Sequence, residues 1–131
     1  MKTATTVLEI LTRILGALLI ALGLLFWTGN ARTLVPLHML LGITLVLALW
    51  ALAVLAAVAR VNLGLVALAL AWGLIVPILG LTQTRLLPGG AHWLIQVLHL
   101  LVGIGAIALA QALASQIRRT PTRKSAPALQ A

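Results

Sequence analysis

The chain has 131 residues, 63% of them hydrophobic and 8% charged, with a mean hydropathy of +1.19, which excludes an ordinary soluble domain and points to a membrane protein. Nine lysines and arginines against one acid, Glu9, give a net charge of +8. These cations stand singly between apolar runs or in the C-terminal tail, which is the distribution of topology signals and not of a nucleic-acid face.

The first span runs from Thr6 to about Trp27, with Glu9 and Arg13 in a polar first part and an unbroken apolar run from Ile14. Lys2, Gly29 and Ala31 would suit a signal peptide, but Glu9 and Arg13 spoil its basic start and the apolar run is long for its core. A retained helix is the better reading. After the loop Thr28-Gly29-Asn30-Ala31-Arg32, Thr33 is placed to cap a second helix, and Pro36 falls in its first turn, where a missing N–H does no harm.

That second span is uncharged from about Leu34 to Ala59 and ends at the tight turn Arg60-Val61-Asn62. The third runs from about Leu63 to Leu81, with Pro77 bending it. Gln83-Thr84-Arg85 and Pro88-Gly89-Gly90 make the longest loop, and the fourth span covers about Ala91 to Ser115. Each span approaches or exceeds the ~20 apolar residues that cross a bilayer. The expected fold is an all-α integral-membrane four-helix up-down bundle over residues 1–117, followed by a basic disordered tail at 118–131.

Lys2, Arg13, Arg60, Arg118, Arg119, Arg123 and Lys124 fall on one side, and Arg32 and Arg85 on the other. The positive-inside rule then makes both termini cytoplasmic, in a bacterial-type inner membrane. Within this frame Leu37-His38-Met39-Leu40-Leu41-Gly42-Ile43 returns as Leu98-His99-Leu100-Leu101-Val102-Gly103-Ile104. Gly16 and Gly23 in the first span correspond to Gly73 and Gly80 in the third. The chain thus reads as two tandem two-helix repeats, related by a pseudo-two-fold axis along the membrane normal.

An imidazole inside hydrocarbon is costly, so two at matching places in a repeat call for one explanation. Both begin helices at the outer surface, so they share a depth, and helices two and four face each other across a four-helix core. The pattern suits two axial ligands, His38 and His99, of one haem near the outer face. Gly23 and Gly80 lie at the same depth, and Gly42 and Gly103 would clear space one turn below for so large a group. Arg32 and Arg85 are the outer cations available to the propionates. His92 lies roughly 10 Å nearer the surface than His99 by helix rise, within reach of a propionate or a quinone headgroup, although an interfacial histidine without a partner role is the simpler account.

Glycines on helices one and three with histidines on helices two and four resemble the haem-carrying core of the cytochrome b family and, more loosely, the small b561-type cytochromes. In the cytochrome b family each ligand helix carries two histidines, for an outer and an inner haem. The stretches Leu45 to Val58 and Ala106 to Ser115 carry none. The resemblance therefore implies a single outer haem b on His38 and His99.

No cysteine is present, which excludes disulfides, thiolate catalysis, iron–sulfur ligation and covalent haem attachment. Paired carboxylates, a nucleophile with a positioned base and a phosphate-binding loop are all missing. The expected function is electron transfer by a membrane b-type cytochrome, as a subunit of a larger redox complex served by a quinol or a neighbouring subunit. Two alternatives stand beside it: a cofactor-free structural or assembly subunit, and a subunit in which each histidine holds a chlorophyll-type pigment. Trp27 and Trp93 read as interfacial belt residues, while Trp50 and Trp72 lie deeper, packing or lining a cofactor. Gln96 and Gln111 are candidates for hydrogen bonds between helices, and the tail for contact with anionic lipid.

Overall fold

A computed structural model of the chain describes residues 1–120, so the remainder of the basic tail lies outside the described residues. Four helices are present: α1 (Lys2–Trp27), α2 (Val35–Val58), α3 (Leu63–Thr82) and α4 (His92–Arg119). No strand occurs among the described residues. All four helices are long and apolar enough to cross a membrane.

The helices run up-down-up-down, each packed on its chain neighbour, with α4 closing back on α1. In addition α2 and α4 meet across the middle. Side-chain size favours this diagonal contact, because six alanines are among the buried residues of the two helices: Ala48, Ala53 and Ala56 on α2, Ala106, Ala110 and Ala114 on α4. Small side chains let two backbones approach, which is how helices associate where lipid removes any net gain from burying leucine. Large apolar residues point outward instead, among them Leu63, 71% exposed, and Val58, 66% exposed. A surface of this kind is compatible with a membrane protein.

Several boundaries differ from the sequence reading, each for a local reason. Helix α1 starts at Lys2 because the hydroxyls of Thr5 and Thr6 donate to the carbonyls of Met1 and Lys2 and hold an extra turn. Thr33 does not cap α2. It lies within a 3-10 turn, Arg32–Leu34, that follows Ala31 in a left-handed conformation (φ 54°), and α2 begins with no side-chain cap. Pro36 occupies the first turn, as expected. Pro77 sits inside α3, which nonetheless continues to Thr82. Asn62 caps α3 by accepting from the Gly64 N–H at 2.8 Å.

Helix α4 runs one turn beyond the expected end, so Arg118 and Arg119 are helical and do not belong to a tail. The cause is Glu9, whose buried carboxylate pairs with Arg118 across the α1–α4 interface and with Arg13 one turn along α1 at 2.7 Å. Arg13 also donates Nε–H to Gln111 Oε1 at 2.7 Å, and the Gln111 amide reaches the Thr12 hydroxyl at 3.4 Å. The expected interhelical role of Gln111 is therefore present.

The sealed core occupies the end of the bundle that holds Lys2 and Arg119 and reaches Leu45, Val76 and Val102. Beyond that level Leu41, Gly42, Gly80, Gly103 and both helix-borne histidines of the repeat are only partly enclosed.

Candidate functional site

His38 stands one turn into α2 and His99 two turns into α4, on the two helices that face each other across the bundle. Their ring centroids are 6.3 Å apart and their planes are inclined by 47°. Each ring has its Nδ1 buried with no hydrogen-bond partner, and these two nitrogens are the only such side-chain atoms among the described residues. An unsatisfied buried nitrogen costs on the order of 1–3 kcal/mol, so both rings stand poised for a partner that the chain does not supply.

The glycines of α1 and α3 are what let the rings lie there. A Cβ at Gly23 would sit 3.9 Å from His38 Cε1, and one at Gly80 would sit 3.2 Å from His99 Cε1. Each glycine thus backs the histidine of its own two-helix repeat, in the same way twice. Gly42 and Gly103 have nothing within 4 Å of where a Cβ would point, so open space adjoins them.

The inner glycines have a different role. Gly73 receives the Trp50 ring, whose indole N–H donates to the Leu70 carbonyl at 3.2 Å. Gly16 receives the Ile107 side chain. Gly105, which the sequence reading passed over, receives Trp72. The glycine pairs of the repeat therefore divide, the outer member flanking a histidine and the inner one a packing side chain.

Phe26 is a further neighbour, its ring edge-on to His38 with centroids 5.4 Å apart and planes at 66°. Its signal in the sequence is the spacing of three residues from Gly23, which puts both on one face of α1. The second repeat has no aromatic counterpart. Arg32 and Arg85 lie in 3-10 turns at the histidine end, both exposed and neither hydrogen-bonded through its side chain among the described residues. They remain near the loops and are not drawn into the histidine pair. His92 bonds through Nδ1 to the Leu86 carbonyl at 3.2 Å, so it ties the α3–α4 loop to the start of α4.

The donor set restricts what could bind. Among the described residues, the side chains brought together here that commonly ligate metals are the two histidines. A macrocycle that carries its own four equatorial nitrogens needs only an axial pair. With metal–imidazole bonds of about 2 Å, two rings on opposite sides of one metal have centroids roughly 6–6.5 Å apart. The observed 6.3 Å fits that requirement.

Fold and site together describe a four-helix bundle of membrane-spanning length with two opposed imidazoles near one end. Compared with protein-family models, curated proteins and solved structures, the chain matches none.

Proposed function

We propose that this protein is a multi-pass membrane b-type cytochrome that transfers electrons through one haem held between His38 and His99. The observation that carries the reading is the facing pair itself: two partly enclosed imidazoles, centroids 6.3 Å apart, each with an unpartnered ring nitrogen. A haem b held by two imidazoles supplies a one-electron redox centre with no open position for oxygen. Toward it, His38 and His99 act as axial donors, Gly23 and Gly80 leave room for their rings, and Gly42 and Gly103 leave space beside them. Phe26 limits rotation of the His38 ring. Arg32 and Arg85 offer guanidinium groups to propionates at the loop surface. Trp50 and Trp72 support a single centre, since further along the axis their rings take the notches over Gly73 and Gly105.

In this reading both termini are cytoplasmic by the distribution of cations and the site lies toward the outer face of a bacterial-type inner membrane. A quinol or a neighbouring subunit of a larger complex serves as donor.

The test is the absorption spectrum of purified protein, oxidised and dithionite-reduced, with haem quantified against protein. Sharp α and β bands on reduction, with one haem per chain, are expected. Red-region bands would instead identify a chlorophyll-type pigment. A colourless preparation that takes up no added haem would leave a structural subunit as the reading.

A further inference from the structure

At the opposite end of the bundle from the histidines, a cleft of about 380 Å³ opens between the α2–α3 turn and the end of α4. Arg60, Val61, Asn62, Gln116, Arg119 and Thr120 line it. We propose that this cleft binds the phosphate of an anionic phospholipid headgroup, with Arg60 and Arg119 as the charged ligands.

The backbone at Arg60 gives the first argument. Helix α2 ends in a Schellman motif: the Arg60 N–H donates to the Ala57 carbonyl at 3.0 Å and the Val61 N–H to the Ala56 carbonyl at 2.9 Å. The residue at the turn must be left-handed, and Arg60 has φ 58°. Glycine is the residue that adopts this conformation without strain. The left-handed turn, shared with Ala31 and Leu87, fixes the backbone from which the Arg60 side chain lines the cleft.

Charge supplies the second. The chain has one acidic side chain, Glu9, and it is engaged by Arg13 and Arg118. No acidic side chain is left to neutralise Arg60 or Arg119, and neither guanidinium is hydrogen-bonded among the described residues. Among the described residues, both guanidinium groups are therefore available to an external anion. Asn62 uses its side-chain oxygen to cap α3, which leaves its amide N–H groups to donate into the cleft alongside the arginines.

Surroundings favour a lipid over a free anion. Val58 and Leu63, among the most exposed apolar residues of the molecule, flank the turn on either side of Arg60 and Asn62. A bound headgroup would rest its acyl chains on the faces these residues present. Basic pockets between membrane helices bind anionic headgroups in this manner.

The inference rests on the membrane placement and is independent of the histidine site. Full-length protein is first reconstituted into phosphatidylcholine vesicles. Failure to incorporate would refute the placement itself, and with it this site. Binding of phosphatidylglycerol is then measured by native mass spectrometry from detergent, for the native protein, Arg60→Gly, Arg119→Gln and Arg13→Gln. Arg60→Gly relieves the turn, so it should be at least as stable as the native protein while binding phosphatidylglycerol about fivefold more weakly. Arg119→Gln should lose a similar factor. Arg13→Gln, which removes a cation of the same end outside the cleft, should bind as the native protein does. Undiminished binding by Arg60→Gly, or equal loss in Arg13→Gln, would overturn the site. Displacement of the lipid by inorganic phosphate at equal concentration would make it a free-anion site instead.

Discussion

Trp72 donates its indole N–H to the Val102 carbonyl at 2.8 Å, and its ring fills the space that a side chain at Gly105 would need. Val102 lies less than one turn beyond His99 along α4, so this cross-helix bond fixes α3 against α4 close to the histidine pair. The Trp50 ring makes the equivalent join between α2 and α3, over Gly73. These two indoles join α3 to α2 and to α4.

Gly105→Val should therefore break the join. A Cβ there would approach Trp72 Cζ2 to 2.7 Å, so the ring must leave its notch and surrender the bond to Val102. Overpacking and the loss of a buried hydrogen bond together should cost about 2–4 kcal/mol. Unfolding in mixed micelles with increasing SDS reports this loss. A midpoint unchanged by the substitution would mean that Trp72 is not docked in solution.

The Glu9 cluster leads to an asymmetric expectation. The Glu9 side chain is 8% exposed, whereas Arg13 and Arg118 are 62% and 42% exposed. Once Glu9 is neutralised, the two arginines can still extend toward headgroups and water. Without both arginines, a carboxylate is left alone in a closed site. Glu9→Gln should cost about 1 kcal/mol and the Arg13→Gln, Arg118→Gln double variant about 3–5 kcal/mol. The same unfolding assay ranks them, and the reverse order would show that the carboxylate is solvated.

Much of this arrangement was legible in the residues, and the portion that was not has a common cause. Apolar runs of spanning length gave four helices, and the repeated His-x-x-x-Gly gave two rings at one level because its period matches the helix. The sequence puts Gly23 and Gly80 at the depth of those rings, but that each glycine backs a histidine is visible only in the structure. Glu9 stands beside Arg13 in the sequence, but its partner Arg118 is 109 residues away and nothing local announces that pair. For the same reason the last turn of α4 was assigned to the tail. Thr33 looked like a cap because sequence cannot show that the preceding Ala31 is left-handed and starts a 3-10 turn. Gly105 escaped notice because one glycine among small residues is informative only once the ring that fills its notch is known.

The glycines behind the histidines should respond unequally. At Gly23 an added methyl meets His38 Cε1 at an ordinary 3.9 Å, whereas at Gly80 it presses on His99 Cε1 at 3.2 Å. If a haem is held as proposed, Gly23→Ala should keep its spectrum and gain up to ~1 kcal/mol from helix propensity. Gly80→Ala should displace the His99 ring and weaken the low-spin bands of the proposed haem. Equal tolerance at both positions would separate the glycines from the site.

The three histidines should divide by role. On the proposed haem reading, His38→Gly and His99→Gly each remove one of the two donors, so each should abolish a six-coordinate low-spin spectrum. Imidazole added at millimolar concentration should restore it by entering the space vacated beside Gly23 or Gly80. His92 bonds to the Leu86 carbonyl in the α3–α4 loop and does not belong to the pair. His92→Ala should therefore leave the reduced bands in place while lowering stability by about 1 kcal/mol through loss of that bond. Rescue by imidazole separates a ligand from a merely structural histidine, because a folding defect is not repaired by a free ring. If His92→Ala erased the bands while His38→Gly kept them, the axial pair would have to be reassigned.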